Sequence, residues 1–374
     1  MKKLAYIPVL VLALLCVGLW FVPSAKTVTV DRGTTTVARV QEVDDAGVMR
    51  LGVMDYGSQI LEVEVLSGAE KGKILRANNE IRAQPDLDKH FAKGDLAVVV
   101  IPPGGTSEGE TIVARDHWRL GWMAVLFGGF CCLLCVFGGW TGVKALFSFV
   151  FSCLVVWKLV VPLTLSGWSA SWTAFAAVSV LTAVIMFLVA GPTRKGLAAT
   201  LGSLLGVFSG LALAHLFSGL MKINGATQPF SVALLNSGYE ALDLADVFVG
   251  AMVLASSGAV MDLAMDVAAG IEEVARHNPM LPRQELFLSG LRIGRSVVGT
   301  MTTTLLLAYS GGFITLLMLF AAQGTPPLEF LNSPVVAPEV VKTLVGSFAL
   351  VLVAPFSALM SALLLAPRGT GGVS

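Results

Sequence analysis

Two carboxylates four residues apart, Asp262 and Asp266, stand in an otherwise apolar run with Ser256, Ser257 and Gly258 just ahead of them. At 3.6 residues per turn this spacing stacks both acids on one helix face, one turn apart. Like charges so placed repel, so at least one needs a proton, a cation or water beside it. A charge inside a membrane helix costs about 2.5 kcal/mol or more, which makes the pair a candidate proton or cation site. Ser257 belongs to the same candidate set.

Arg292 and Arg295 follow across the polar stretch that holds Glu272, Glu273, Arg276 and His277. An antiparallel hairpin would set them opposite the two aspartates, and salt bridges across it are expected. A second reading fits equally: the acids lie at the cytoplasmic interface and the arginines merely fix topology. Beyond them Thr302, Thr303 and Thr304 form a hydroxyl-rich strip that either lines a polar route or bonds back to its own helix. Asp246 opens the helix that carries the acid pair, where negative charge suits the helix dipole. His215 sits in an apolar run as a proton relay or a hydrogen-bonded packing residue. Gly202, Gly206 and Gly210 have the spacing that lets helices approach closely.

Other chemistries lack their residues. The sequence has no Gly-x-x-x-x-Gly-Lys-Ser/Thr loop for nucleotide phosphates, no His-Glu-x-x-His zinc helix and no Gly-x-Ser-x-Gly elbow. No cofactor is expected and no enzyme activity is assigned. Cys131, Cys132 and Cys135 cluster in an apolar run; soft-metal binding and plain helix packing both fit, packing is favoured, and no metal ligand is assigned. Formal charge is zero, so nothing points to nucleic acid.

The elements that must position these residues are membrane helices. Hydrophobic residues make up 55% of the 374 and charged ones 13%, well off the soluble average of roughly 25% charged. Mean hydropathy is +0.79. Apolar stretches long enough to span recur at 4–22, 118–140, 144–163, 168–190, 197–221, 241–270, 293–322 and 340–365. Eight crossings are therefore expected, with room for a broken or re-entrant segment within 241–322, where glycines, threonines and acids interrupt the pattern. Residues 1–26 are expected to be an uncleaved anchor, since Pro23 is a poor neighbour for a signal cleavage after Ala25.

Residues 27–116 differ. They hold half of the chain's charged residues, and alternating runs at 36–40, 60–66 and 96–101 read as strands separated by turns at 44–47, 56–58, 67–68 and 93–95. The segment is expected to be a small exported all-β domain of the OB kind between helices 1 and 2. The fold class expected is thus an α-helical polytopic membrane protein with that one β domain: 1–26 anchor, 27–116 β domain, 117–366 seven-helix domain and 367–374 cytoplasmic tail. Eight crossings put both termini inside. Lys2, Lys3, Lys144, Arg194, Lys195, Arg276, Arg283, Arg292, Arg295 and Arg368 then lie inside and Lys158, Lys222 and Lys342 outside, as the positive-inside bias requires.

The segments 257–262 and 292–301, within the longer runs 256–278 and 291–312, together with the exported 55–59, resemble the bacterial YibE/YibF membrane protein family. That resemblance implies a bacterial cell membrane and brings no biochemical activity with it. The functional expectation is a secondary transporter or permease of unknown solute with the Asp pair as its proton or cation site. The alternative is a non-transporting scaffold or assembly factor whose β domain binds an envelope partner. Expected partners are accordingly the lipid bilayer, an ion or solute, and an envelope protein for 27–116.

Overall fold

The structure is a computed structural model that describes residues 7–22, 33–104 and 111–366. Lys2, Lys3, the junction after Ala25, Arg368 and the expected tail at 367–374 lie outside these residues. The chain divides into two compact units: one holds 1–26 and 134–374, the other 27–133. The second unit therefore runs beyond the expected β domain into the first helix that follows it.

In that unit six strands form one sheet: β1 (Thr34–Asp44), β2 (Val48–Leu51), β3 (Met54–Val65), β4 (Ile74–Arg82), β5 (Leu96–Ile101) and β6 (Ile112–His117). The strand order is β1-β5-β6-β4-β3-β2, and β1 also pairs with β3, Ala38 opposite Val65. Five strands thus close into a barrel, and β2 stays outside it as a hairpin with β3. Strand alternation fills the interior with Ala38, Val40, Leu61, Val63, Ala97 and Val99. Buried Gln59 and Asn79 secure the 83–95 loop: Gln59 Oε1 accepts from Asn79 Nδ2 at 2.9 Å and from the Phe91 N–H at 3.0 Å. The 56–58 run, expected as a turn, lies inside β3. Gly57 keeps φ 126° there because a side chain would strike the Gly47 carbonyl on the β2 side.

The helical unit starts with α1 (Ile7–Trp20), whose Leu12 and Cys16 pack with Phe151, Val155, Ala177 and Leu181. Helix α2 (Leu120–Val155) continues through a π-helical turn, Val156–Val160, into α3 (Val161–Leu165). The expected spans at 118–140 and 144–163 are therefore one run of 46 residues. It is broken at Gly139, with φ 52° and ψ −128°, a conformation that glycine adopts at little cost, so no loop is needed. Next come α4 (Ala170–Ala190), α5 (Arg194–Leu220), the short α6 (Ser231–Asn236), α7 (Leu244–His277) and α8 (Arg283–Gly311). Then follow α9 (Ile314–Ala322), α10 (Pro327–Leu331) and α11 (Val336–Leu365). Helices α8 and α9 meet at a 67° bend next to Gly311 and Gly312, so the stretch expected at 293–322 is bent rather than straight. Among the described residues five helices are long and apolar enough to cross a membrane, six if the bent pair is one span. These apolar helices mark a membrane protein.

Helix α7 is central, packed against α4, α5, α8 and α11. Close approach is built from glycine. Along α5, a side chain at Gly206 would come within 2.8 Å of Val353, one at Gly210 within 2.9 Å of Ala349, and one at Gly202 into Ser357, all on α11. Along α8, a side chain at Gly290 or Gly294 would come within 2.7 Å of Ala358 or Ala354, again on α11. Helix α11 therefore lies between two glycine seams, as small residues allow in membranes. We predict that Gly206→Ala or Gly294→Ala destabilises the protein by about 1–3 kcal/mol through overpacking. Gly128→Ala, with open space around it, should stabilise it by up to roughly 1 kcal/mol through helix propensity. Unfolding midpoints in detergent check both.

Candidate functional site

The side of α7 turned to its neighbours carries no charge. Val260, Leu263, Ala264, Val267, Ala268 and Ile271 are fully buried there. The opposite side is uncovered: Ala251, Ala255, Gly258, Asp262 and Asp266, at spacings of four, three, four and four, are all exposed. The two carboxylates thus share a face as the spacing predicts, and that face is turned away from the packed core.

The expected salt bridges do not form. Among the described residues no ion pair joins Asp262 or Asp266 to Arg292 or Arg295. The reason lies in α8, which turns Gly290, Gly294 and Leu305 inward. Arg292, Ser296, Gly299 and Thr303, at spacings of four, three and four, fall on its uncovered side with Arg295 beside them, all exposed. The depths nevertheless match, because Gly294 lies beside Val267 and Gly270 beside Ile293. Asp266 and Arg295 are therefore level with each other.

The hydroxyls expected to line a route turn back on their own helix. Thr302 donates to the Val298 carbonyl at 2.9 Å, Thr303 to that of Gly299 at 3.0 Å, and Thr304 to that of Thr300 at 2.9 Å. Consecutive residues, they face three directions. Ser257 is buried and donates to the Leu254 carbonyl at 2.8 Å.

Asp246 and His215, distant in sequence, join one polar cluster. Asp246 Oδ2 accepts from Ser169 Oγ at 2.8 Å and from the Ser171 N–H at 3.3 Å, and Ser171 Oγ lies 3.1 Å from His215 Nε2. Asp246 thereby caps α4, whose first residues need an acceptor and favour negative charge. Ser171 is the link that sequence reasoning missed, since no local signal marks a contact between helices. An open cleft of about 750 Å³ adjoins this cluster, lined by Trp168, Ser169, Tyr239, Asp243 and Asp246.

At the other end of α7, Glu272 pairs with Lys195 at the start of α5, 2.7 Å apart. From Asp246 to Glu272 the helix rises roughly 39 Å, close to the hydrocarbon core of about 30 Å plus its headgroup layers, about 40–45 Å in all. Asp262 stands ten residues from Glu272 and sixteen from Asp246, so roughly 15 Å and 24 Å along the axis.

A third polar group also escaped sequence reasoning. Glu339 and Lys342, in the first turns of α11, form an ion pair at 2.8 Å with side chains only 11% and 15% exposed. Gln228 lies 3.4 Å from Glu339, and an apolar pocket of about 280 Å³ lined by Phe313, Leu317, Phe330 and Leu344 opens beside it. The i, i+3 spacing was the available signal. The three clustered cysteines are free, and among the described residues no three His, Cys, Asp or Glu side chains converge as metal ligands.

The sequence profile of the YibE/F-like protein family matches residues 126–367. The chain belongs to that family. The match takes in α2 from Leu126 onward, with the acid-bearing α7 and the arginine-bearing α8, and leaves the barrel, including 55–59, outside it. No curated protein and no solved structure matches the chain.

Because Asp246 caps α4 while Asp262 has no ion-pair partner among the described residues, their removal should differ. Asp246→Ala is expected to cost about 1–2 kcal/mol of stability, and Asp262→Asn to stay within about 0.5 kcal/mol of wild type. Chemical denaturation in detergent without added salt measures the difference.

Proposed function

We propose that this YibE/F-like protein is a secondary transporter or permease in which Asp262, with Asp266 one turn away, takes up a proton or a cation. One observation carries the reading: two carboxylates with no ion-pair partner among the described residues, on the uncovered face of the central helix, six and ten residues before Glu272. An aspartate side chain is too short to reach the headgroups from roughly 15 Å below Glu272, so it needs a proton, a cation or water where it stands. The uncharged, glycine-seamed core behind α7 supplies a rigid support. The Thr302, Thr303 and Thr304 hydroxyls are occupied by their own helix, so the open faces of α7 and α8 are the proposed route.

In this reading the chain crosses the bilayer eight times. Helix α1 is the first crossing, the break at Gly139 divides the long helical run into two, and α8 with α9 makes one bent span. Both termini are then cytoplasmic, in a bacterial cell membrane, and the barrel is exported. Its strand order, with β4 and β6 parallel, supports the OB-like assignment. No enzymatic step is assigned.

A second reading, a scaffold that holds an envelope partner, is favoured by the β2–β3 hairpin. Met49, Leu51 and Val53 there are 60%, 71% and 89% exposed, an apolar tip of the kind that marks contact sites. Loss of cellular function in Leu51→Ser with Val53→Ser, without change in ion binding, would favour that reading.

The test is the thermal stability of purified protein at two pH values and in Na⁺, K⁺, Mg²⁺ and Ca²⁺. A ligand at a hundred times its Kd stabilises the folded state by about 2.7 kcal/mol. We predict that one ion or the proton raises the wild-type midpoint and that Asp262→Asn abolishes the shift. Equal responses of wild type and variant to every ion and to pH would overturn the reading.

A further inference from the structure

The open face of the α7–α8 pair carries two acids and two arginines, none of them in an ion pair among the described residues. Facing lipid, four such groups would be costly to leave uncovered. The same face is smooth. Ala251, Ala255 and Gly258 lead down to Asp262 on α7, and nothing lies within 4 Å of where a side chain would sit at Gly258 or at Gly299 of α8. Small residues uncovered beside uncovered charge are the makings of a helix contact.

We infer that a second copy of this chain covers the face, with Asp266 of each copy paired to Arg295 of the other. Gly270 and Ile293, both half-buried, meet between the two helices, and Val267 meets Gly294 deeper in the packed side. These contacts set Asp266 level with Arg295. A two-fold axis along the membrane normal preserves depth, so it lays α7 of one copy on α8 of the other with acid and guanidinium at equal height. The interface is then self-complementary, as two-fold contacts must be, and two pairs close per dimer. Asp262 falls level with Gly299 rather than with an arginine, so it keeps its carboxylate free within the contact. The pairing stands apart from the ion-binding reading, since it uses Asp266 while the ion test uses Asp262.

Full-length protein in mild detergent and in nanodiscs tests this by mass measurement and by cross-linking. Wild type should be a dimer; Asp266→Arg and Arg295→Asp should each be monomeric; the double reversal should restore the dimer, which also shows that the substituted chain folds. With the five native cysteines replaced by serine, Asp266→Cys protein with one tag and Arg295→Cys protein with another should form a mixed-tag disulfide dimer on mild oxidation. A monomeric wild type, single reversals that remain dimeric, or absence of the mixed-tag product would overturn the proposal. The ion-induced thermal shift is read separately, so loss of one result leaves the other intact.

Discussion

The close approach of helices to α11 is the constraint on which the rest of the membrane unit depends. Glycines on α5 and α8 leave no room for a side chain between them and Ala349, Val353, Ala354, Ser357 and Ala358. A core of this kind is held by dispersion and fit, since lipid tails remove the hydrophobic drive between helices. It has no space for hydrated charge. The inward side of α7 must therefore be uncharged, and any charged residue on that helix is forced to the outward side. Asp262 and Asp266 are on the outward side for this reason.

The same constraint separates structural charge from charge with a further role. Asp246 is held by two serines and the start of α4; Glu272 is held by Lys195; Glu339 is held by Lys342. Each has a partner, and the first two tie separate helices together. Asp262 and Asp266 have no ion-pair partner among the described residues, although α8 carries arginines at matching depth. Such unmet electrostatic demand is what a bound ion, a proton or a second copy would answer.

Much of this arrangement was legible in the sequence, and the gaps have physical causes. Hydropathy located the apolar helices because each backbone must satisfy its own hydrogen bonds in lipid, and the four-residue spacing put Asp262 and Asp266 on one face. Alternation marks the strands at 36–40, 60–66 and 96–101, whereas the glycine within β3 reads as a turn in sequence, since only pairing with β2 explains it. Sequence could not say toward which side the acids turn, because both sides of α7 contain small residues and burial is decided by the glycines of α5 and α8. The salt bridges to Arg292 and Arg295 failed for a similar reason: spacing along two helices gives depth, and rotation about each axis is set by packing. Ser171 and its contacts with Asp246 and His215 span helices far apart in the chain and leave no local trace.

The central claim is that the acid-bearing face of α7 lies at hydrocarbon depth. Nitroxide labels at positions 258, 262 and 272, one at a time in a cysteine-free background and in lipid bilayers, measure this through collision rates with oxygen and with a water-soluble nickel chelate. The account predicts that oxygen dominates at 258 and 262 and the chelate at 272, with 262 shallower than 258. Chelate dominance at 262 equal to that at 272 would put the aspartates in the headgroup layer and contradict it.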